Sequence, residues 1–183
     1  MEAVGPGAAI LDANRDGLLD CYIPNGTWLV GPFRDQFYDG EDRPRSALYI
    51  QQKDGTFRDE AKERGVEDDA WGFGACAADL DNDGDEDLVV SNLGPNRLFV
   101  NDGTGRFTDI AEKAGVAGAP GRWGAGCCFL DYDRDGHLDL YVASYLNYDP
   151  AGAPKLGQAA YCLYNDIPVP CGPLGFAGGT NAL

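Results

Sequence analysis

The sequence predicts an all-β fold built from four-stranded antiparallel blades, an incomplete β-propeller, and three observations predict it. A nine-residue acidic loop occurs three times, as DANRDGLLD from Asp12 to Asp20, DLDNDGDED from Asp79 to Asp87 and DYDRDGHLD from Asp131 to Asp139. The loops keep phase with a unit of about fifty residues, since LYIQQKDGTFRDEAKERGV from Leu48 aligns without a gap on LFVNDGTGRFTDIAEKAGV from Leu98. Each unit holds four strand-length segments, and four strands in a repeat of this length is the pattern of a propeller blade.

The units run over residues 1–66, 67–116 and 117–183, the last incomplete. Each first strand carries a pair of glycines just before the acidic loop: Gly5 and Gly7, Gly72 and Gly74, Gly124 and Gly126. Trp71 and Trp123 precede two of these pairs. In the second unit residues 72–78 form the first strand and residues 88–91 leave the loop as the second. Residues 97–101 and 106–110 then flank a glycine-rich turn, so the unit is two successive hairpins. A helical turn over residues 111–114 closes it, and Gly115 stands in a helix-stop position. Insertions at 25–46 and 145–180 interrupt the connection between second and third strands in the outer units. The chain ends on Asn181-Ala182-Leu183, which matches Ser46-Ala47-Leu48 and Asn96-Arg97-Leu98 at the start of a third strand. A closed propeller needs at least four blades. The expectation is therefore a fragment of a longer chain, or a protomer that closes with partners.

Composition narrows the function classes. The 183 residues carry a net charge of −16, from 30 Asp plus Glu against 14 Lys plus Arg, and 44% are hydrophobic, enough for a packed core. No run of 18 apolar residues is present to span a bilayer. The acidic excess opposes nucleic acid, whose sequence-independent affinity depends on Lys and Arg displacing counterions. The same excess suits divalent cations wherever the acids cluster.

The three loops cluster them. Oxygens at positions 1, 3 and 5 of a tight loop point at one centre, and glycine at 6 allows the turn that brings the carbonyl of 7 and the acid of 9 round. The candidate ligands are Asp12, Asn14, Asp16, Leu18 and Asp20 in the first loop, then Asp79, Asp81, Asp83, Asp85 and Asp87 in the second. Asp131, Asp133, Asp135, His137 and Asp139 complete the third. Leu18, Asp85 and His137 would contribute backbone carbonyls. Two like charges about 4 Å apart repel by roughly 4 kcal/mol at an effective dielectric near 20, so the converging acids favour a bound cation. An all-oxygen set with flexible geometry suits Ca²⁺, about three ions in all, better than Mg²⁺. Asn14 replaces an acid and weakens the first site. An EF-hand also begins with acids at 1, 3 and 5, but it needs an acid at position 12. That position is Ile23, Val90 and Val142 here. For a single loop a metal-free Asp-Gly hairpin is a serious alternative; three copies in phase argue against it.

The W-G-x-G run before D-x-D-x-D-G-x-x-D, followed by N-x-L-F-x-N-x-G-x-G-x-F-x-D, resembles FG-GAP or VCBS repeats, most closely those of the ASPIC/UnbV family. The resemblance covers nearly the whole chain, although Gly72-Phe73-Gly74-Ala75 lacks the proline of a full Gly-Ala-Pro. It implies a calcium-binding β-propeller of secreted or cell-surface proteins, extracellular or periplasmic, with the ion in the loop joining strands 1 and 2.

Six cysteines beside calcium loops point to an oxidising compartment. Cys162 and Cys171, nine apart within the long insertion, are the expected disulfide, because a large insert gains from a staple. Cys21, Cys76, Cys127 and Cys128 fall on strands, as free thiols or bridges. No Cys-x-x-Cys suggests zinc. His137 is the only histidine, and its side chain is expected to face solvent. No catalytic constellation is found. The inserts are aromatic-rich, with Trp28, Phe33, Phe37 and Tyr38 in one and Tyr145, Tyr148, Tyr161 and Tyr164 in the other. They serve either as a binding surface or as packing against the blades. Asn25-Gly26-Thr27 fits a glycosylation acceptor as well as a turn. The sequence thus suggests a non-catalytic, calcium-stabilised module for extracellular protein or glycan interaction or adhesion. Two alternatives are the propeller portion of a secreted carbohydrate- or lipid-cleaving enzyme, and self-assembly into a surface layer or filament.

Overall fold

The structure, a computed structural model, describes residues 6–26, 44–149, 152, 157–159, 162–169 and 176–183. Among the described residues the fold is all-β apart from two single-turn helices. The first sheet is an antiparallel meander of β1 (Ala9–Leu11), β2 (Asp20–Ile23), β3 (Ala47–Gln51) and β4 (Phe57–Asp59), with Tyr22 opposite Ala9 and Leu48. β5 (Trp71–Ala78), β6 (Asp87–Leu93), β7 (Arg97–Asn101) and β8 (Phe107–Asp109) repeat that order, with Val89 opposite Cys76 and Leu98. In the third unit β9 (Arg122–Leu130) pairs with β10 (Asp139–Asn147), whose register is broken by two irregularities.

One feature departs from separate four-stranded sheets. The single pair Leu93↔Trp123 links β6 to β9, so the second sheet extends into the third unit. The cause is local: Gly94 donates its N–H to the Arg122 carbonyl at 2.8 Å, which draws the far end of β6 against the start of β9. Within the long insertion β11 (Leu163–Tyr164) and β12 (Ile167–Pro168) form a small hairpin. The chain then returns beside β10, where Val142 and Ala182 exchange two backbone hydrogen bonds of 3.0 and 3.1 Å. This pairing is the counterpart of Ile23↔Ala47 and Val90↔Arg97. Asn181-Ala182-Leu183 therefore stands where a third strand begins.

The helices α1 (Ala61–Arg64) and α2 (Ala111–Ala114) end identically. Gly65 and Gly115 adopt left-handed backbone angles, φ 80° and 76°, and the next residues, Val66 and Val116, donate back to Ala61 and Ala111. A residue with a side chain is strained there, and glycine is not. At their starts Asp59 and Asp109 accept the N–H groups of Ala61 and Ala111 at 3.1 and 3.0 Å. Each carboxylate also accepts from the third strand, at Leu48 and Leu98, fastening helix to sheet.

The core lies between units. Leu88, Val90 and Phe99 of the second unit pack with Leu11, Tyr22, Leu48 and Ile50 of the first. Val89 and Leu98 face the other way and pack against Cys127, Phe129 and Leu140 of the third. Neighbouring residues on a strand point to opposite faces, so β6 is buried on both sides from Asp87 to Asn92. Leu88, Val89 and Val90 each contribute about 1.5–3 kcal/mol on leaving water. The first sheet's other face stays open: Tyr49 and Phe57 are 37% and 52% exposed, whereas their repeat partners Phe99 and Phe107 are 3% and 7% exposed.

First strands of neighbouring units approach closely through glycine. A Cβ on Gly74 would overlap the Ala125 carbonyl oxygen and stand 2.9 Å from Ser91 Oγ, while one on the equivalent Gly126 would meet nothing within 4 Å. Gly74→Ala is thus expected to destabilise by about 1–3 kcal/mol, the usual cost of overpacking, and Gly126→Ala to leave stability nearly unchanged. Urea unfolding of the two variants checks this.

Candidate metal centres

Each acidic loop joins the first two strands of its unit, and the same backbone frame builds all three. Position 4 is left-handed in every copy, with φ 57° at Arg15, 62° at Asn82 and 64° at Arg134. Gly17, Gly84 and Gly136 follow two residues later with φ 83°, 88° and 90°. These turns aim backbone N–H groups inward at the acids. Asp12 accepts from Asp16 and Gly17 at 3.1 and 2.9 Å, Asp79 from Asp83 and Gly84 at 3.0 and 2.9 Å, and Asp131 from Asp135 and Gly136 at 3.1 and 3.2 Å. The acid at position 5 accepts the N–H of position 7: Leu18 to Asp16, Asp85 to Asp83, His137 to Asp135.

Position 9 does more than close the loop. Asp20 accepts from Ala13 at 3.0 Å and from Gln51 on β3 at 2.8 Å. Asp87 repeats this with Leu80 at 3.0 Å and Asn101 on β7 at 2.9 Å. Both side chains are buried. Burial raises their pKa above the ordinary carboxylate value; the two N–H bonds partly oppose it, and the neighbouring loop acids add to the rise. Asp139 accepts from Tyr132 at 2.9 Å.

The donor chemistry fits a hard cation, unequally among the loops. Asp79, Asp81 and Asp83 bring carboxylate oxygens within 4.8 Å of one another, and so do Asp131, Asp133 and Asp139. Asp87 and Asp135 stand outside these trios. In the first loop Asn14 interrupts the acids: its amide oxygen accepts the Asp16 N–H at 3.1 Å and its NH₂ donates to Asp16 at 3.2 Å. Among the described residues no acidic trio forms there. The Asp85 side chain is buried and ion-paired with Arg15, which leaves its backbone for the loop. His137 is exposed, with Nδ1 3.2 Å from Asn82 Nδ2.

Several supporting residues carry no sequence signal of their own. Arg15 reaches across to the Asp83 carbonyl at 3.1 Å, and Glu86 accepts the Asp12 N–H at 2.6 Å. Asn101 donates to the Ala13 carbonyl at 2.9 Å while accepting from Gly103 and Gly105. The position-4 residues of the first two loops thus contact the following loop, Arg15 on the second and Asn82 on the third. Only the doubled occurrence at one repeat position could have revealed it.

Other expected features are partly in view. Cys21, Cys76, Cys127 and Cys128 are free thiols. Cys162 is buried and is not among them, and its expected partner Cys171 lies outside the described residues. Trp28, Phe33, Phe37, Tyr38 and Tyr161 also lie outside. β10 runs to Asn147, so Tyr145, expected in the second insert at 145–180, lies on the blade strand itself and the insert begins after it. Tyr145 and Tyr148 make T-shaped contacts with Trp123, with centroids at 6.0 and 5.8 Å. Tyr164 is exposed. The Asn25 amide oxygen takes the Gly26 N–H at 2.9 Å, a turn contact, and Thr27 is outside the described residues. No helix among the described residues is long and apolar enough to cross a membrane.

Comparison with known proteins agrees with this architecture. The family model for FG-GAP-like repeats matches residues 12–90 and 79–142. Cartilage acidic protein 1 of Mus musculus is 31% identical over 145 residues, covering 77% of this chain and 21% of that protein. The Homo sapiens protein of the same name matches equally, and that of Xenopus tropicalis is 37% identical over 123 residues, covering 61% of this chain and 18% of its own length. The chain spans about a fifth of these relatives.

In metal-free buffer Asp87→Ala leaves the Leu80 and Asn101 N–H groups without their acceptor, at an expected cost of about 2–4 kcal/mol. Asp81→Ala, at an exposed position, is expected to change stability by no more than about 0.5 kcal/mol under the same conditions. Urea unfolding in excess chelator separates the two.

Proposed function

The chain belongs to the FG-GAP-like repeat family, and from that premise we propose that it is a calcium-stabilised, non-catalytic β-propeller module that serves interaction with protein partners outside the cell. The observation that carries the proposal is the loop frame repeated in three units, in which backbone N–H groups orient the acids, with carboxylates that converge in the second and third loops. Calcium would be held by the side chains at positions 1, 3, 5 and 9 and the carbonyl at 7 of each loop. Bound there, it neutralises the acids and ties first, second and third strands of a unit together. The second loop is the strongest site and the first, with Asn14, the weakest. Extracellular calcium modules bind with dissociation constants of about 10⁻⁴–10⁻³ M, which suits a chain working outside the cell. The blade limits 1–66, 67–116 and 117–183 belong to the same reading, supported by the recurring register. So does a Cys162–Cys171 bridge across the long insertion, which peptide mapping without reduction would reveal as one linked pair.

Calorimetric titration of chelated protein is expected to show calcium-linked heat at about three sites. Occupancy at a hundredfold excess over the dissociation constant stabilises by ~2.7 kcal/mol per site. Asp81→Asn, which gives the second loop the residue the first carries at position 3, should weaken the second site toward the first; absence of any calcium-linked heat or stabilisation would overturn the assignment.

The pH dependence has a definite sign. Because folding raises the pKa of Asp20 and Asp87, the metal-free protein loses stability as pH rises from about 4 through their folded values, where both become charged. Calcium needs the ionised forms, so its affinity falls on acidification as Asp20 and Asp87 take up protons, which begins above the ordinary carboxylate value. Titrations across this range check both directions.

A second reading, association with another sheet, is favoured by the open face of the first unit, where Ile10, Tyr49 and Phe57 are exposed. Tyr49→Glu should then abolish any concentration-dependent mass seen by light scattering. The enzyme reading predicts turnover of a carbohydrate or lipid substrate that survives loss of the calcium sites.

A further inference from the structure

We infer that Cys76 and Cys127, which meet at the packing surface between the second and third units, form an oxidisable pair that can join neighbouring blades covalently. Cys76 lies on β5 and Cys127 on β9, the first strands of adjacent units, and both pack against the cluster of Val89, Leu98 and Ala111. Gly74 lies against Ala125 and Gly126, bringing the two strands into close approach two residues before the cysteines. The two thiols act on each other, which lowers the pKa of Cys127 and raises that of Cys76.

The repeat explains why a bridge fits. Cys76 stands two residues after Gly74, and Cys127 one residue after Gly126. At the preceding interface the same places are held by Ala9 and Ala75, which pack in one cluster. Gly7 there lies against Phe73 and Ala75 as Gly74 lies against Ala125 and Gly126, so the close approach of first strands recurs at both interfaces, and a disulfide needs Cβ atoms about 4 Å apart. Cys128 belongs to the opposite face of β9, because adjacent strand residues alternate, and it is exposed. The vicinal Cys127–Cys128 pairing is therefore disfavoured by the strand itself.

The oxidant is a low-molecular-weight disulfide of the glutathione class. The Cys127 thiolate attacks one of its sulfurs, forming a mixed disulfide and releasing one small thiol. Cys76 gives up its proton to solvent and attacks the Cys127 sulfur, releasing the second. Two protein thiols are oxidised, one small disulfide is reduced to two thiols, and the chain is closed between β5 and β9.

The test equilibrates the full chain, with calcium in excess, at fixed ratios of oxidised to reduced glutathione. Remaining thiols are then alkylated and the unreduced digest is mapped by mass. Loss of two thiols, with one linked peptide pair holding Cys76 and Cys127 and with Cys21 and Cys128 alkylated, is the expected result. Oxidation should raise the unfolding midpoint by about 5–10 °C. Cys76→Ala should fold like the reduced protein, as the Ala9–Ala75 contact implies, and show neither cross-link nor shift. A linked Cys127–Cys128 peptide, a glutathione adduct that persists on Cys127, or full alkylation of Cys76 and Cys127 under oxidising conditions would overturn the inference. None of these outcomes depends on whether calcium binds.

Discussion

The side chain at position 9 of the first two acidic loops is the fastening on which those units depend. Asp20 and Asp87 spend both carboxylate oxygens on backbone N–H groups, one within the loop and one on the third strand. A strand edge and a turn that would otherwise have to leave donors unsatisfied in the interior are served by one residue. That arrangement has an electrostatic cost, since a buried carboxylate beside other loop acids resists ionisation. A cation in the loop would relieve the cost without disturbing the N–H bonds. Structure and candidate chemistry therefore share the same atoms.

Around these fastenings the units hold one another by stacking. No single sheet has a core of its own. Leu88 and Val90 complete the first unit's apolar face, and Val89 and Leu98 complete the third's. Polar clamps reinforce the second unit and its contact with the first. Asp68 from the first connection accepts from Asn92 at 2.8 Å and pairs with Arg97, at the end of the second unit away from its loop. Arg64 crosses to the Gly105 carbonyl at 2.9 Å. Glycine controls the distance between sheets, and where Gly74 lets backbones touch, Cys76 and Cys127 are brought together.

Much of this was legible in the residues. The strand expected at 97–101 is β7, and the helical turn expected at 111–114 is α2, ended by Gly115. Asn181-Ala182-Leu183 lies at the start of a third strand, as its likeness to Ser46-Ala47-Leu48 implies. These features depend on local chemistry: alternation, glycine at positive φ, Asp accepting nearby N–H groups. The convergence of particular acids was less legible. The motif names four side chains per loop, yet the trios are Asp79, Asp81 and Asp83 in one and Asp131, Asp133 and Asp139 in another. The spacing is the same in both loops, so it does not encode which acids converge.

From the chain alone came the repeat, the order of its strands and the type of atom each loop presents, because all three follow from short-range periodicity. Tertiary packing alone decided which surfaces meet. The ion pair of Arg15 with Asp85, the link from β6 to β9 and the meeting of Cys76 with Cys127 join residues far apart in sequence. Their proximity arises from how closely one sheet settles on the next. That distance is set by the summed contacts of two faces, a quantity no single stretch of sequence contains.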